Sequence, residues 1–141
     1  MRLIDEAEKL FQGEIVDLER PECLRLLELS RVGRIAVNDP DGPLVVPVNG
    51  RADGEDVYFR LREGSQLALA LADGRAAYEV DGFDEFRQAG WSVLVRGEVR
   101  RISPEDLPEH RSEWPRPWAA GERDVWVRLA GDSISGRRLL P

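Results

Sequence analysis

Cysteine and histidine are almost missing from this sequence: Cys23 and His110 are the single examples among 141 residues. One cysteine leaves no intrachain disulfide scaffold, and one histidine leaves no histidine cluster for structural zinc. Lysine is equally scarce, since of 20 basic residues only Lys9 is a lysine, a bias more simply read as coding composition than as function. Positive charge as a whole is in deficit, with 20 Lys and Arg against 27 Asp and Glu and a net charge of -7. That deficit excludes a general nucleic-acid binder, which needs a basic field over the phosphates, while leaving room for a local basic pocket. No apolar run approaches the ~18 residues of a membrane span. The start, MRLIDEAEKLFQGEIVDL, is acidic and amphipathic rather than signal-like, so a soluble, cytoplasmic protein without a membrane partner is expected. Repeats, low-complexity tracts and linkers are also absent. The expectation is one domain over residues 1–141, with a short helical extension over about 1–17.

What is present is a turn-rich, mainly β pattern, with 13 glycines and 9 prolines. RPECLRLLELSR, Arg20 to Arg31, spaces Cys23, Leu26, Leu27 and Leu29 for a short helix behind Pro21. From Val32 to Arg62 the apolar alternation predicts three strands separated by NDPDG and ADGED. Ser65 to Leu71 predicts a second helix, entered through Gly64 and followed by Gly74. RAAYEVDGF and WSVLVRGEVRRI read as two further strands around an EFRQAG turn. The Pro-rich stretch from Ser103 to Arg123 reads as a loop or short helix with an aromatic clasp, before one more strand and a tail. Strands joined by short turns close most simply into an antiparallel barrel with helices at its openings.

The best local candidate for chemistry is FRLREGSQLALAL, Phe59 to Leu71, where a strand carrying Arg60 and Arg62 runs into a Gly-Ser helix start. Free N–H groups, two guanidinium groups and the Ser65 hydroxyl outline an anion site. The same residues also suit a plain N-cap flanked by solvated arginines. In PLVVPVNG, Pro47 removes a ladder donor, leaving backbone groups to a planar ligand or marking an ordinary edge strand. Trp91 and Ser92 open a strand where an aromatic borders a flat ligand or plugs a barrel end. Serine-protease chemistry is excluded by the absence of a GxSxG elbow and by the placement of His110 in an acidic, Pro-rich loop. Cys23 reads as a buried small hydrophobe, and Asp81, Asp84 and Glu85 as a solvated turn.

Taken in order, LSRVGRIAV, PLVVPVNGRADGEDVYFRLREGSQLALAL, AAYEVDGFDEFRQAGWSVLVRGEV and ISGRRL resemble the pyridoxamine 5'-phosphate oxidase-like flavin-binding split-barrel family, in particular its short actinobacterial-type members. The resemblance covers roughly Leu18 to Leu139. It implies a six-stranded antiparallel split barrel that forms a homodimer with one FMN in each of two interface clefts. Val46, Pro47, Val48 and Asn49 would then lie along the isoalloxazine ring, Phe59, Arg60, Leu61 and Arg62 would form the strand side of the phosphate pocket, and Ser65 and Gln66 its helix side. Trp91 and Ser92 would reach the flavin from the neighbouring strand or the partner subunit. The implied function is an oxidoreductase passing a hydride through flavin N5 to a small acceptor, with no catalytic side chain identified. Two positions depart from the family pattern: Gln66 replaces a basic residue, and Leu61 a hydroxyl residue. These departures admit a deazaflavin-dependent reductase, or a non-enzymatic dimer that binds flavin, haem, another ligand or no cofactor.

Overall fold

The computed structural model of the chain describes residues 13–71, 74–109 and 124–141. In chain order its elements are β1 (Glu14–Asp17), α1 (Arg20–Leu29), β2 (Gly33–Asp39), β3 (Gly42–Val48), β4 (Arg51–Asp53), β5 (Asp56–Arg62), α2 (Gln66–Ala70), β6 (Arg75–Asp84), β7 (Ala89–Ile102), β8 (Asp124–Leu129) and β9 (Ser133–Leu140). A single 3₁₀ turn, Pro104–Asp106, follows β7. Every strand pairing is antiparallel.

The organising element is the 14-residue strand β7. One of its edges pairs with β6, from Ala89 opposite Asp84 to Glu98 opposite Arg75. Its other edge pairs first with β9, through Gly90 to Arg96, and then with β8, through Val99 to Ile102. The strand is therefore shared by two sheets, β3-β2-β6-β7-β9-β1 and β4-β5-β8-β7, which is the geometry of a split barrel. Where β7 passes from one sheet to the other, the β8–β9 turn crosses directly over it. The Ala130 N–H donates to the Glu98 carbonyl at 2.8 Å, and the Asp132 carboxylate accepts from the Glu98 N–H at 3.3 Å. A Cβ at buried Gly97 would fall on the Ala130 carbonyl, so only glycine admits this crossing.

The core lies between the two sheets, as period-2 alternation dictates. Ile35 and Val37 of β2, Tyr78 and Val80 of β6, and Val93 and Val95 of β7 meet Val57, Phe59 and Leu61 of β5 and Val127 and Leu129 of β8. Helix α1 begins at Arg20 with Pro21 in its first turn and buries Cys23, Leu26 and Leu27 against β4, β7 and β9. Its end is held where the Ser30 N–H and Oγ donate to the Leu26 carbonyl. Helix α2 packs on β2 and β5, so it bridges the two sheets.

Mainly β architecture and both helices match the sequence expectation, but the described residues form nine strands rather than six. The run expected as one strand from Pro43 into Arg51 is broken into β3 and β4 at Asn49–Gly50. The closing tail is a full strand, β9. Glu14–Asp17, the end of the stretch expected to be helical, forms β1 against Arg137–Leu140, where the backbone of β9 offers its open edge. Residues 1–12, His110, Trp114 and Trp118 lie outside the described residues.

Candidate functional site

The strand expected along a flat ligand is β3, at the end of its sheet, paired with β2 alone among the described residues. The turn Pro40–Asp41 joins Asp39 and Gly42 as a two-residue hairpin, so Asp39 and Gly42 form the first hydrogen-bonded pair. Alternation then places Pro43, Val45 and Pro47 at positions whose backbone groups point away from β2. Neither proline forfeits a bond to β2, and the open edge presents three carbonyls but only the Val45 N–H. Val46 and Val48 turn half-buried side chains to the core, Pro47 is exposed opposite Arg34, and Asn49 stands half-buried at the corner into β4.

That corner rests on Tyr78. A Cβ on Gly33 or Gly50 would fall on its phenol ring or hydroxyl, so both glycines are needed for β2 and the corner to close over it. The ring is 1% exposed, lies 5.5 Å from Phe59, and has its hydroxyl pushed up to about 12 by burial, with Arg51 opposing. Tyr78 is thus a neutral phenol at any physiological pH.

The strand expected at the phosphate is β5, and alternation divides its four candidates. Phe59 and Leu61 point into the core, 1% and 7% exposed, and offer a ligand only their backbone. Arg60 and Arg62 point outward. The Arg60 guanidinium lies 5.9 Å from the ring centroid of Trp126, its register partner on β8. Because β4 covers only Asp56 to Tyr58, the β5 edge from Phe59 to Arg62 carries no strand among the described residues. Beyond it, Gly64 at φ +79° turns the chain and the Ser65 N–H donates to the Arg62 carbonyl at 3.1 Å. The Ser65 hydroxyl oxygen caps α2 by accepting the Ala68 N–H at 3.2 Å, and Gln66 is exposed beside it. Since α2 touches both β2 and β5, the strand carrying Arg60 and Arg62 and the neighbour of β3 flank one helix.

Trp91 and Ser92 do not join them within one chain. They lie on β7, three strands from β3, which at ~4.8 Å per strand is on the order of 14 Å. The Trp91 indole covers Gly82 beside a shallow cavity of about 310 Å³ lined by Phe83, Arg87 and Arg138. Ser92 is on the opposite, outer face, between Asp81 and Arg137. On that face Arg34 Nη1 donates to Asp81 at 2.7 Å and to Glu79 at 3.1 Å. Burial, reinforced by Asp81 and only partly offset by Arg34, pushes the Glu79 carboxyl up to about 7. A raised carboxyl binds its proton more tightly in the folded chain, so its contribution to stability is present below the ordinary value of 4.5 and is lost as pH rises to about 7. Glu79→Gln should therefore gain thermal stability relative to the wild type between pH 5 and pH 8. Melting curves at the two values check this, and a constant difference would contradict it.

A further groove, about 490 Å³, runs between α2 and the β7–β8 pair, lined by Ala68, Leu69, Leu71, Val99 and Val125 and crossed by the Arg101–Glu63 pair at 2.8 Å. Other sequence candidates are structural. Burial pushes the Cys23 thiol up, and Asp84 pairs with Arg87 in the β6–β7 turn. No group of three metal-ligating side chains exists among the described residues, and none of their helices is long and apolar enough to cross a membrane. Trp126, which the sequence offers more readily as a core or interface aromatic than as part of a cofactor box, stands over Arg60 through the β5–β8 register.

Comparison with known proteins extends these observations. Residues 19–138 match the model of the family described as pyridoxamine 5'-phosphate oxidase. The solved structure of the FAD binding protein from Mycobacterium smegmatis is 32% identical, with a TM-score of 0.74 over 87% of this chain and 98% of that one. An uncharacterised Mycobacterium tuberculosis protein is 28% identical over 132 residues, 90% of this chain and 87% of its own. A FAD-binding protein from Mesorhizobium loti, at 23% identity and a TM-score of 0.73 over 92% of this chain and 99% of that one, shares the fold.

Proposed function

Since the chain belongs to the pyridoxamine 5'-phosphate oxidase family, we propose that it is a flavin-binding oxidoreductase, holding the flavin mononucleotide moiety common to FMN and FAD. The observation that carries this reading is the open β5 edge beside two outward arginines, Arg60 and Arg62, with the α2 cap next to it. Backbone N–H groups and guanidinium groups meeting at one strand end are the donor set that a phosphate monoester requires. One strand beyond β2, which the same helix touches, the β3 edge offers carbonyls and a single N–H to the polar rim of a planar heterocycle. Leu61 and Gln66 take no part as charged or hydroxyl donors, so the anchoring falls on the two arginines.

A bound flavin would supply the redox chemistry, hydride transfer at N5. The chain's own residues bind and orient it. Arg60, held against the Trp126 face, presents its charge from a fixed position, while Arg62 adds an exposed one. The separation of Trp91 and Ser92 from β3 fits a homodimer in which those residues complete the cleft of the partner subunit. The description of the Mycobacterium smegmatis relative as FAD binding supports a flavin and brings FAD into the comparison with FMN.

The test is titration of the purified protein with FMN, FAD and riboflavin, read by quenching of flavin fluorescence. FMN and FAD are expected to bind more tightly than riboflavin by about a hundredfold or more, since riboflavin lacks the contacts of both arginines. Equal affinity for all three would remove the phosphate anchor, and no binding of any would overturn the reading. Reduction of the bound flavin by a nicotinamide and reoxidation by an acceptor separates an enzyme from a binding module.

A further inference from the structure

On the outer face of the β3-β2-β6-β7-β9 sheet, charges are matched where acid and base stand together: Arg34 meets Asp81 at 2.7 Å and Glu79 at 3.1 Å. Toward the β2–β3 hairpin the pattern changes. The ladder there runs through Ala36, Ala77, Arg96 and Ser133 across β2, β6, β7 and β9. Arg75, two residues before Ala77, lies on the same face. Arg75 and Arg96 are therefore diagonal neighbours across the β6–β7 pair, about 7–8 Å apart at the backbone, close enough for two long side chains to converge. Both line one cavity of about 530 Å³, which they share with Asn38 and Pro43 of the β2–β3 hairpin and with Ala36 and Ala77.

No carboxylate lines this cavity, in a chain of net charge -7. The acidic residues next to it in the ladder are engaged elsewhere. Glu98, opposite Arg75, makes its ion pair with Arg100 at 3.6 Å, Asp132 accepts the Glu98 N–H at 3.3 Å, and Glu79 belongs to the Arg34 cluster. Neither Arg75 nor Arg96 makes a hydrogen bond or an ion pair among the described residues. Arg62 and Arg137 also lack an ion pair there, and what sets Arg75 and Arg96 apart is the space they share. Two guanidinium groups facing one cavity, with no opposite charge in its walls, create a local positive field that an anion relieves. A phosphate between them would accept charge-assisted hydrogen bonds from both. The cavity is larger than a bare oxyanion fills and lies within the roughly 300–1,000 Å³ of sites for small organic ligands. Ala36 and Ala77, side by side in the ladder, give it a flat floor that suits a planar ring, and the Asn38 amide brings a donor and an acceptor to the edge of such a ring.

We infer that Arg75 and Arg96 form an anion-binding site on the outer face of the sheet, which takes the phosphate of a planar organic phosphate of mononucleotide size. The site goes beyond the flavin reading and does not depend on it, because Arg60 and Arg62 stand on β5, in the other sheet. Both of its arginines are exposed and unbonded among the described residues, so each is free to turn its guanidinium onto the incoming phosphate.

Adenosine 5'-monophosphate (AMP) is the probe and adenosine the control, titrated by calorimetry into the full chain carrying Arg60→Ala and Arg62→Ala, so that the flavin phosphate site takes no part. Saturable binding of AMP is expected, at least about tenfold tighter than that of adenosine. Arg75→Gln and Arg96→Gln should each weaken it about fivefold or more, whereas Arg87→Gln, which removes the same charge in the β6–β7 turn, should change it by less than a factor of about two. Neither Arg75→Gln nor Arg96→Gln removes a bond among the described residues, so both report on the site with the fold intact. Absence of saturable binding, equal affinity for adenosine, or an Arg75→Gln, Arg96→Gln double variant that binds AMP like its parent would overturn the site. In the wild-type chain loaded with one equivalent of FMN, AMP is expected still to bind, and loss of that binding would overturn its assignment to a second ligand. A chain that binds AMP through these arginines but fails to bind FMN would leave this inference standing and remove the flavin reading alone.

Discussion

Replacing Gly97 by alanine is expected to lower the melting temperature by roughly 10 °C, from about 3 kcal/mol of lost stability in a chain of this size. The added methyl meets backbone rather than a flexible side chain: the Ala130 carbonyl occupies its place. Relief requires the β8–β9 turn to lift from β7, which would sacrifice the Ala130–Glu98 hydrogen bond and the Asp132 contact together. Both sheets depend on that crossing, because β8 and β9 take successive halves of the same β7 edge. Thermal denaturation followed by circular dichroism measures the effect, and an unchanged melting temperature would show that the turn moves aside without cost.

The double substitution Arg60→Ala, Arg62→Ala should weaken FMN binding by about a hundredfold or more, each charge-assisted hydrogen bond contributing on the order of 1.5 to 3 kcal/mol. Riboflavin affinity should stay within a factor of about two, because it lacks the phosphate those arginines would hold. That contrast separates anchoring from general damage to the fold. Both side chains point out of the barrel, so their removal leaves the packing of Phe59 and Leu61 in place, although Arg60 gives up its contact with Trp126. If FMN affinity were unchanged, the phosphate would have to sit elsewhere on the chain.

The fold was legible where local chemistry and tertiary context agree. Pro21 before a leucine-rich stretch, Ser65 after Gly64, and clean alternation through Tyr78, Val80, Val93 and Val95 mark elements that the structure contains. Strands without a strong pattern were missed. In β9, SISGRRLL, Gly136 is the fully buried residue, and β1 is four residues long, so neither carries an alternation that outweighs its charges. The corner at Asn49–Gly50 was hidden because the apolar run before it continues as if unbroken, and the reason for the break, the Tyr78 ring beneath Gly50, lies 28 residues further along the chain.

For the candidate site, period-2 alternation already separates Arg60 and Arg62 from Phe59 and Leu61, so treating all four as one pocket wall was more than the pattern supports. The distance of Trp91 and Ser92 from β3 was not legible at all, since sheet order is not chain order. The bonds from Arg51 to the Arg31 and Gly50 carbonyls escaped for the same reason: they join a link after α1 to a strand 20 residues later.

The spacing of Pro43 and Pro47 also bears on how copies of this chain behave when crowded. A foreign strand seeking to lengthen the sheet at β3 needs a donor at every second residue, and of the three outward positions only Val45 supplies one. Edge-to-edge pairing is weakened at this border by two missing hydrogens rather than by charge. Val45 is 59% exposed here, an apolar side chain beside an edge that would otherwise invite amyloid-like stacking. A partner backbone at this border can donate to three carbonyls but finds a single N–H in return, so the ladder it forms there is one-sided.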